Sequence, residues 1–228
     1  MQEGAEQIAE PAQQDPRTVP PEDKIYVVLE AAPLEVAKVK DGFHLLNCDD
    51  HKGLLKKNNK NIGDYRPDIC HQCLLTLLDS PLNKSGHLQV YIHTSKNVLI
   101  EVNSQIRIPR TYKRFAGLMV QLLHTMKIRS EDGQYLMRTI QNPIESHLPA
   151  GCRKFAMSYK APRQVDIFDF ATSLPRHAPV CFVIGAFAHG MVNPEFTEET
   201  LSISGFPLSG SVVCGRVCNA FERIFQVI

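Results

Sequence analysis

Between Val102 and Ser130 the chain carries no acidic residue, yet it holds Arg107, Arg110, Lys113, Arg114, Lys127 and Arg129. Arg110 and Arg114 stand four apart, which stacks them on one side of a helix start, and Arg107 precedes them on the extended approach Ile106-Arg107-Ile108-Pro109. Thr111 is a fitting N-cap for that helix. Free amide hydrogens and the positive end of the helix dipole would add to the side-chain cations, so the chemistry on offer is capture of a phosphate backbone. A solvated basic face is the commoner meaning of such a cluster, and the residues alone leave that choice open.

A second constellation lies near the carboxyl terminus. Val180-Cys181-Phe182-Val183-Ile184 is apolar on both parities, the pattern of a central strand buried on two faces in a parallel sheet covered by helices. Gly185 at its end lets the main chain turn sharply and lets a ligand approach it. The run continues Ala186-Phe187-Ala188-His189-Gly190, and Leu201-Ser202-Ile203-Ser204-Gly205-Phe206-Pro207-Leu208 repeats the arrangement, so two rigid turns can share one pocket. The spacing is not a phosphate loop, because Met191 and Val192 follow where Lys and Ser or Thr are required, and it is not GxGxxG. Taken alone it fits ordinary turn glycines equally well.

Cysteine and histidine offer less. Cys70-x2-Cys73 has the spacing of half a zinc site or a redox pair, but no matching pair follows, and helical spacing puts both thiols on an apolar face with Leu74, Leu77 and Leu78. Cys214 and Cys218, at i and i+4 of the last amphipathic segment (209–225), read the same way. His44 to His51 mixes His, Cys and Asp on one short segment, which fits a solvated loop better than a metal, and no metal is expected. Seven cysteines without a secretory leader point to reduced thiols.

The elements that must position these groups follow from periodicity. Ile25 to Leu29 is a β-branched first strand ended by Glu30. Pro67 and Asp68 suit the first turn of a helix that stops before Pro81. Leu88 to His93 and Val98 to Val102 form a hairpin about Thr94-Ser95-Lys96-Asn97. Phe115, Leu118, Met119, Leu122, Leu123 and Met126 recur at helical spacing and mark the strongest helix. Gln134 to Gln141 and Lys154 to Tyr159 read as strands, Gln164 to Leu174 as a helix, and the lysine- and asparagine-rich stretch 52–61 as an exposed loop.

At 228 residues, 43% hydrophobic and 21% charged, the chain has enough apolar material for one full core. No apolar run approaches the ~20 residues of a membrane span, and no membrane partner is expected. Six acids against Arg17 leave −5 in residues 1–23 and +6 in the remainder of a chain whose total is +1. The first 23 residues, rich in Gln, Glu, Ala and Pro, read as a disordered acidic tail, and residues 24–228 as one domain.

Several blocks, in order, resemble one family across nearly all of residues 24–228: Arg66-Pro67-Asp68-Ile69-x-His71-Gln72, Ile106 to His124, Asn142 to Pro149, Val183 to Gly190 and Ser202 to Ser209. Together they are similar to the ribosomal RNA pseudouridine N1-methyltransferases known as nucleolar essential protein or essential-for-mitotic-growth protein, of the SPOUT superfamily. The resemblance implies an α/β fold with a C-terminal trefoil knot and a mostly parallel sheet flanked by helices. It implies S-adenosylmethionine (SAM) as methyl donor, held by Ala161, Gly185, Gly190, Ile203, Ser204, Gly205, Phe206, Pro207 and Leu208. It also implies that Arg66 contacts the target nucleotide while Asp68 holds its guanidinium, and that Arg107, Arg110 and Arg114 contact RNA, with Lys113 a weaker candidate. The residues alone read Arg66 as a helix-start arginine, solvated or paired with Asp68.

By the same resemblance the substrate is a pseudouridine of small-subunit (18S-type) ribosomal RNA. The partners are that RNA and pre-ribosomal particles, the assembly is a homodimer whose partner completes the pocket, and the location is the nucleus and nucleolus. His71 and His189 read as core and loop histidines, so no general base stands out and proton loss to water serves instead. Gly205-Phe206 stands where relatives carry Asn-Tyr; glycine permits a left-handed backbone there, and contacts are expected from the main chain. The other enzymatic class, a Rossmann-type methyltransferase, needs a glycine-rich loop after the first strand, and Leu29-Glu30-Ala31-Ala32-Pro33 supplies none. A non-catalytic ribosome-assembly factor that binds RNA through Arg107 to Arg114 is the alternative of a different class.

Overall fold

The computed structural model describes residues 19–39, 42–175, 177–192 and 194–227. Residues 1–18, most of the expected acidic tail, lie outside them. Packed chain begins ahead of Lys24: Val19 is buried, and the Tyr26 hydroxyl donates to the Pro21 carbonyl at 3.2 Å.

Nine strands form one sheet and two form a separate hairpin. In chain order they are β1 (Ile25–Ala32), β2 (Val36–Val39), β3 (Gly42–Leu45), β4 (Leu88–Thr94), β5 (Leu99–Val102), β6 (Lys127–Arg129), β7 (Tyr135–Ile140), β8 (Arg153–Met157), β9 (Arg163–Gln164), β10 (Val180–Gly185) and β11 (Glu199–Ser202). The sheet runs β6-β7-β5-β4-β1-β10-β8-β11-β9, with β2 pairing β3 alone. All neighbours from β4 to β9 are parallel, and β4, β5, β7 and β6 are joined antiparallel. The helices are α1 (Lys52–Lys57), α2 (Pro67–Asp79), α3 (Pro81–Lys84), α4 (Tyr112–Thr125), α5 (Ile167–Ser173) and α6 (Gly210–Phe225).

The apolar run that predicts a central strand is central: β10 lies between β1 and β8, and Val180 to Ile184 are all buried. Its two parities meet different covers. Val180, Phe182 and Ile184 join Ile25, Val27 and Leu29 under the helices, where Cys70, Leu74 and Leu77 of α2 pack with Cys214, Val217 and Phe221 of α6. Cys181 and Val183 join Tyr26, Val28 and Tyr91 on the opposite face, which is covered by Ile144, Cys152 and Val192 from loops. Helices therefore cover one face, and the physical reason is local. The segments crossing the second face contain Pro143, Pro149 and Gly151, then Gly190 and Pro194, and such residues do not sustain a helix.

The cysteines behave as small apolar side chains. All seven are free thiols, and burial pushes Cys70 and Cys214 well above the ordinary value and Cys218 up to about 12. Cys70, Cys214 and Cys218 therefore remain protonated and unreactive at neutral pH.

Two stretches depart from the sequence reading. Residues 52–57 form a helix rather than an exposed loop, because Leu55 is buried against Leu46 and Tyr65 and so anchors one side. Gln164 lies in a short edge strand, and the following helix starts only at Ile167, where the Asp166 carboxylate accepts from the amides of Phe168 and Asp169.

Candidate functional site

Parallel strands put their carboxyl ends on one edge, and the loops that leave β8, β10 and β11 gather there. Met157 to Tyr159, Gly185 to Gly190, and Ile203 to Ser209 wall a cleft of about 470 Å³ together with the first turn of α6 and with Arg66, Ile69 and Gln72 beside α2. That volume suits a small-molecule ligand of cofactor size. The walls mix apolar side chains with serines and main chain, and Arg66 is the only permanently charged side chain among the described lining residues.

Close approach explains the glycines. A Cβ on Gly185 would meet Val192 Cγ2 at 2.8 Å and the Phe187 ring at 3.0 Å. Gly190 has φ +133°, a region that favours glycine, and packs on the same ring. A Cβ on Gly210 would lie 3.0 Å from the Gly185 carbonyl oxygen and 3.1 Å from Cys73 Sγ. Gly210, which the sequence reading passes over, is thus what lets α6 begin against the end of β10. Ser209, its N-cap, makes no side-chain capping bond, so the first amides and the positive dipole of α6 are presented to the cleft.

The second loop is braced by its own hydroxyls. Ser202 Oγ donates to the Ser204 carbonyl at 2.8 Å, Ser204 Oγ accepts from the Phe206 amide at 3.0 Å, and Arg216 reaches the Ile203 carbonyl at 3.4 Å. The expected left-handed glycine is not found here: Gly205 lies outside the positive-φ region, and a Cβ would meet only the Gln164 side chain, at 3.6 Å. Gly205→Asn is therefore expected to change stability by less than about 0.5 kcal/mol and to leave donor affinity in place. Thermal melting and calorimetric titration with SAM check this; a collapse of either would mean that residue 205 is held more tightly than its surroundings imply.

Arg66 stands just before α2, and Asp68 grips it with two bonds, Nε to Oδ1 at 2.8 Å and Nη2 to Oδ2 at 2.7 Å. Hydrogen bonding to Asp68 raises the Arg66 pKa above its ordinary value. The guanidinium side chain is still 40% exposed, so one face of its fork is open to the cleft. Asp68 itself does not line the cleft; its part is to orient Arg66.

Not every expected residue meets there. Ile203, Ser204, Phe206, Pro207, Leu208, Gly185, Gly190 and Arg66 do. Gly205 sits in the chain between the wall residues Ser204 and Phe206 but does not line the cleft itself. Ala161 closes a tight turn through its amide to the Ser158 carbonyl at 3.1 Å, and Ser158 and Tyr159 reach the wall instead. Met157 to Tyr159, Gly210 and Ser211 had no motif signal, because their role comes from where parallel strands end.

The cations of α4 lie outside the cleft. Arg107, Lys113 and Arg114 are exposed and have no acidic partner among the described residues. Arg110 does not converge with them: its guanidinium is drawn to Asp79, at the far end of α2, in a pair that is 72% and 46% exposed. Such a surface pair is worth little, so a phosphate can displace it. His71 ties this strap to α2, donating from Nε2 to the Pro109 carbonyl at 2.7 Å and stacking on Phe115 at 4.4 Å. It is a buried structural histidine. His189 is exposed, at the rim of the cleft and near Gly63.

One titratable pair braces the strand ends. The Ala186 amide donates to the Glu30 carbonyl at 2.8 Å, while the Glu30 side chain holds His93 Nδ1 at 2.8 Å and leaves its other oxygen buried without a partner. The Glu30 hydrogen bond raises the His93 pKa above its ordinary 6.5. The stabilisation is thus fully present below about pH 6.5 and fades as pH climbs through the raised folded value. Wild type and His93→Gln should differ most in melting temperature near pH 6 and converge at alkaline pH; a constant difference would show that the pair does not titrate.

Among the described residues no group of three or more His, Cys, Asp or Glu side chains is placed to hold a metal, and no helix is long and apolar enough to cross a membrane.

With this geometry in hand, known proteins can be compared. The ribosomal RNA small subunit methyltransferase NEP1 of Drosophila melanogaster is 52% identical over 213 residues, covering 91% of this chain and 84% of the relative. That of Homo sapiens is 52% identical over 206 residues, at 90% and 83% coverage. The archaeal Nep1 of Staphylothermus marinus is 32% identical over 200 residues, at 83% and 84%. The crystal structure of Archaeoglobus fulgidus Nep1 bound to S-adenosylhomocysteine superposes with a TM-score of 0.68 at 25% identity, covering 89% of this chain and 99% of that one. The profile of the EMG1/NEP1 methyltransferase family matches residues 27–222, and the chain belongs to that family.

Proposed function

We propose that this chain transfers the methyl group of SAM to N1 of a pseudouridine in small-subunit ribosomal RNA. One observation carries the reading: an arginine fixed by a carboxylate stands on the wall of the same cleft that the loops after β10 and β11 enclose. The relatives named above are small-subunit ribosomal RNA methyltransferases, and one solved relative holds S-adenosylhomocysteine.

The residues present fit the donor. Loop main chain brought close by Gly185 and Gly210 suits an adenosine edge, and the first amides of α6 suit an amino-acid carboxylate. A sulfonium methyl is already a strong electrophile, so the chain's own work is placement and charge stabilisation. Arg66, its fork held planar by Asp68, offers paired donors to the ring oxygens that gain negative charge as the N1 proton leaves. No side chain in the cleft is built as a base, and the proton passes to water.

A base in a helix is shielded, so the acceptor is everted or lies in a loop, with Arg107, Arg114 and a released Arg110 on flanking phosphates. Pre-ribosomal particles supply such RNA, and in a eukaryotic cell that places the protein in the nucleus and nucleolus. A homodimer and a C-terminal trefoil knot belong to the same reading and rest on the family resemblance.

The test is methyl transfer from labelled SAM to RNA loops carrying pseudouridine, uridine or N1-methylpseudouridine. Incorporation into the pseudouridine loop alone is expected. Tight binding of RNA and SAM without turnover would favour a non-catalytic assembly role.

A further inference from the structure

The segment with the least chemistry in the sequence reading, residues 52–61, carries a second set of cations. Lys52, Lys56, Lys57 and Lys60 are all exposed, and no acid interrupts the run between Asp50 and Asp64. The carboxylates that bound the run stand at its ends: Asp49 and Asp50 before α1, with Asp50 engaged by the Asn47 amide at 3.0 Å, and Asp64 in the turn that follows. A flexible loop would spread these lysines through solvent. Here Leu55 is fully packed with Leu46 and Tyr65, and the Lys60 amide closes back on the Leu55 carbonyl at 2.9 Å, so the backbone that carries the cations has a set course.

This lobe is wired to the site. Tyr65 belongs to its small core, directly precedes Arg66, and accepts the Cys48 amide at 2.8 Å. Asn59, Lys60 and Asn61 line a groove of about 560 Å³ whose opposite wall is Phe187 to Gly190, the same loop that walls the donor cleft. Lys96 also lines this groove, although Glu35 partly neutralises it at 3.3 Å. Cations therefore stand in two groups, the arginines about the start of α4 and the lysines of a lobe that Tyr65 joins to Arg66 along the chain.

We infer that the α1 lobe is a second RNA-contact surface, which holds a stretch of phosphate backbone beyond the one met by the arginines about the start of α4. An RNA strand that presents one base to Arg66 must continue in both directions, and each direction needs neutralised phosphates. Ammonium groups and asparagine amides carried on a packed backbone suit phosphate contacts without sequence readout. This inference rests on the methyl-transfer reading above.

The experiment compares a short loop oligonucleotide with the same loop on its flanking stems, across a salt series, for wild type, K52Q/K56Q/K57Q/K60Q and R107A/R114A. All four lysines are exposed, so the quadruple variant is expected to fold, and calorimetric SAM binding checks that it has. The lysine variant should bind the stem-bearing RNA roughly tenfold or more weakly, with the slope of log affinity against log salt shallower by about 2 to 3, while the short loop is affected less. The arginine variant should weaken both RNAs. Unchanged affinity and slope for the stem-bearing RNA in the lysine variant, with the arginine variant weakened, overturns the lobe and leaves the methyl-transfer reading standing. Absence of RNA binding by the wild type overturns both.

Discussion

Arg66→Ala is expected to lower kcat for methyl transfer by about 10²–10³-fold, the usual cost of removing one donor aimed at developing charge, while SAM affinity stays within about twofold. The argument is geometric. Arg66 is the only permanent charge among the described residues of the cleft, and Asp68 holds both Nε and Nη2, so the fork presents its remaining hydrogens in one direction. Its side chain is 40% exposed, so truncation leaves no buried cavity and the fold should survive. Arg66→Lys keeps the charge but loses the planar paired donors, and should recover only a small part of the rate. Asp68→Asn keeps Arg66 and loosens its aim, so a smaller fall in kcat is expected with KM for RNA also raised. Single-turnover assays with saturating SAM, set beside calorimetry, separate these effects. If Arg66→Ala lost donor binding and turnover in equal measure, the residue would be a structural prop of the cleft instead.

Gly185→Ala should act on the other half of the reaction. One methyl group would sit 2.8 Å from Val192 Cγ2 and 3.0 Å from the Phe187 ring, closer than carbon atoms tolerate, and Val192 is buried and cannot swing away. Both displaced side chains are walls of the cleft. The expected outcome is at least a tenfold loss of SAM affinity together with destabilisation of about 1–3 kcal/mol. Because Phe187 packs on Gly185 and Gly190 alike, Phe187→Ala should relieve part of the clash, and the double variant should bind SAM better than the sum of the single effects implies. Gly210→Ala presses on the Gly185 carbonyl from the opposite side, and main chain yields less readily than a side chain, so it should weaken the donor site as well. Additive effects in the cycle, or full affinity in Gly185→Ala, would show that the loop does not need this packing.

The two sets of variants divide the cleft into a donor half and an acceptor half. The division follows the chain: the donor half comes from the carboxyl ends of β8, β10 and β11 and the first turn of α6, and the acceptor half from the residues around the start of α2. His71 links that start to the strap before α4, through the Pro109 carbonyl and the face of Phe115. Through that contact the strap and the start of α4 are tied to the element that carries Arg66.

What periodicity and residue type determined was the local layer. An apolar run on both parities marked β10 as the buried centre of the sheet, and helical spacing marked α2, α4 and α6 and turned Cys70, Cys73, Cys214 and Cys218 into core residues. Those properties depend on neighbours a few positions away, which the sequence displays directly. Tertiary structure alone decided which loops share a cleft, because parallel pairing puts the ends of β8, β10 and β11 on one edge although they are far apart along the chain. It also decided that Gly210 and not Gly205 is the glycine with no room for a side chain, that Arg110 turns to Asp79, and that Leu55 makes a fixed basic helix from a stretch with the composition of a loop. Each of these is settled by atoms that meet through space from distant parts of the chain, and no local pattern records such meetings.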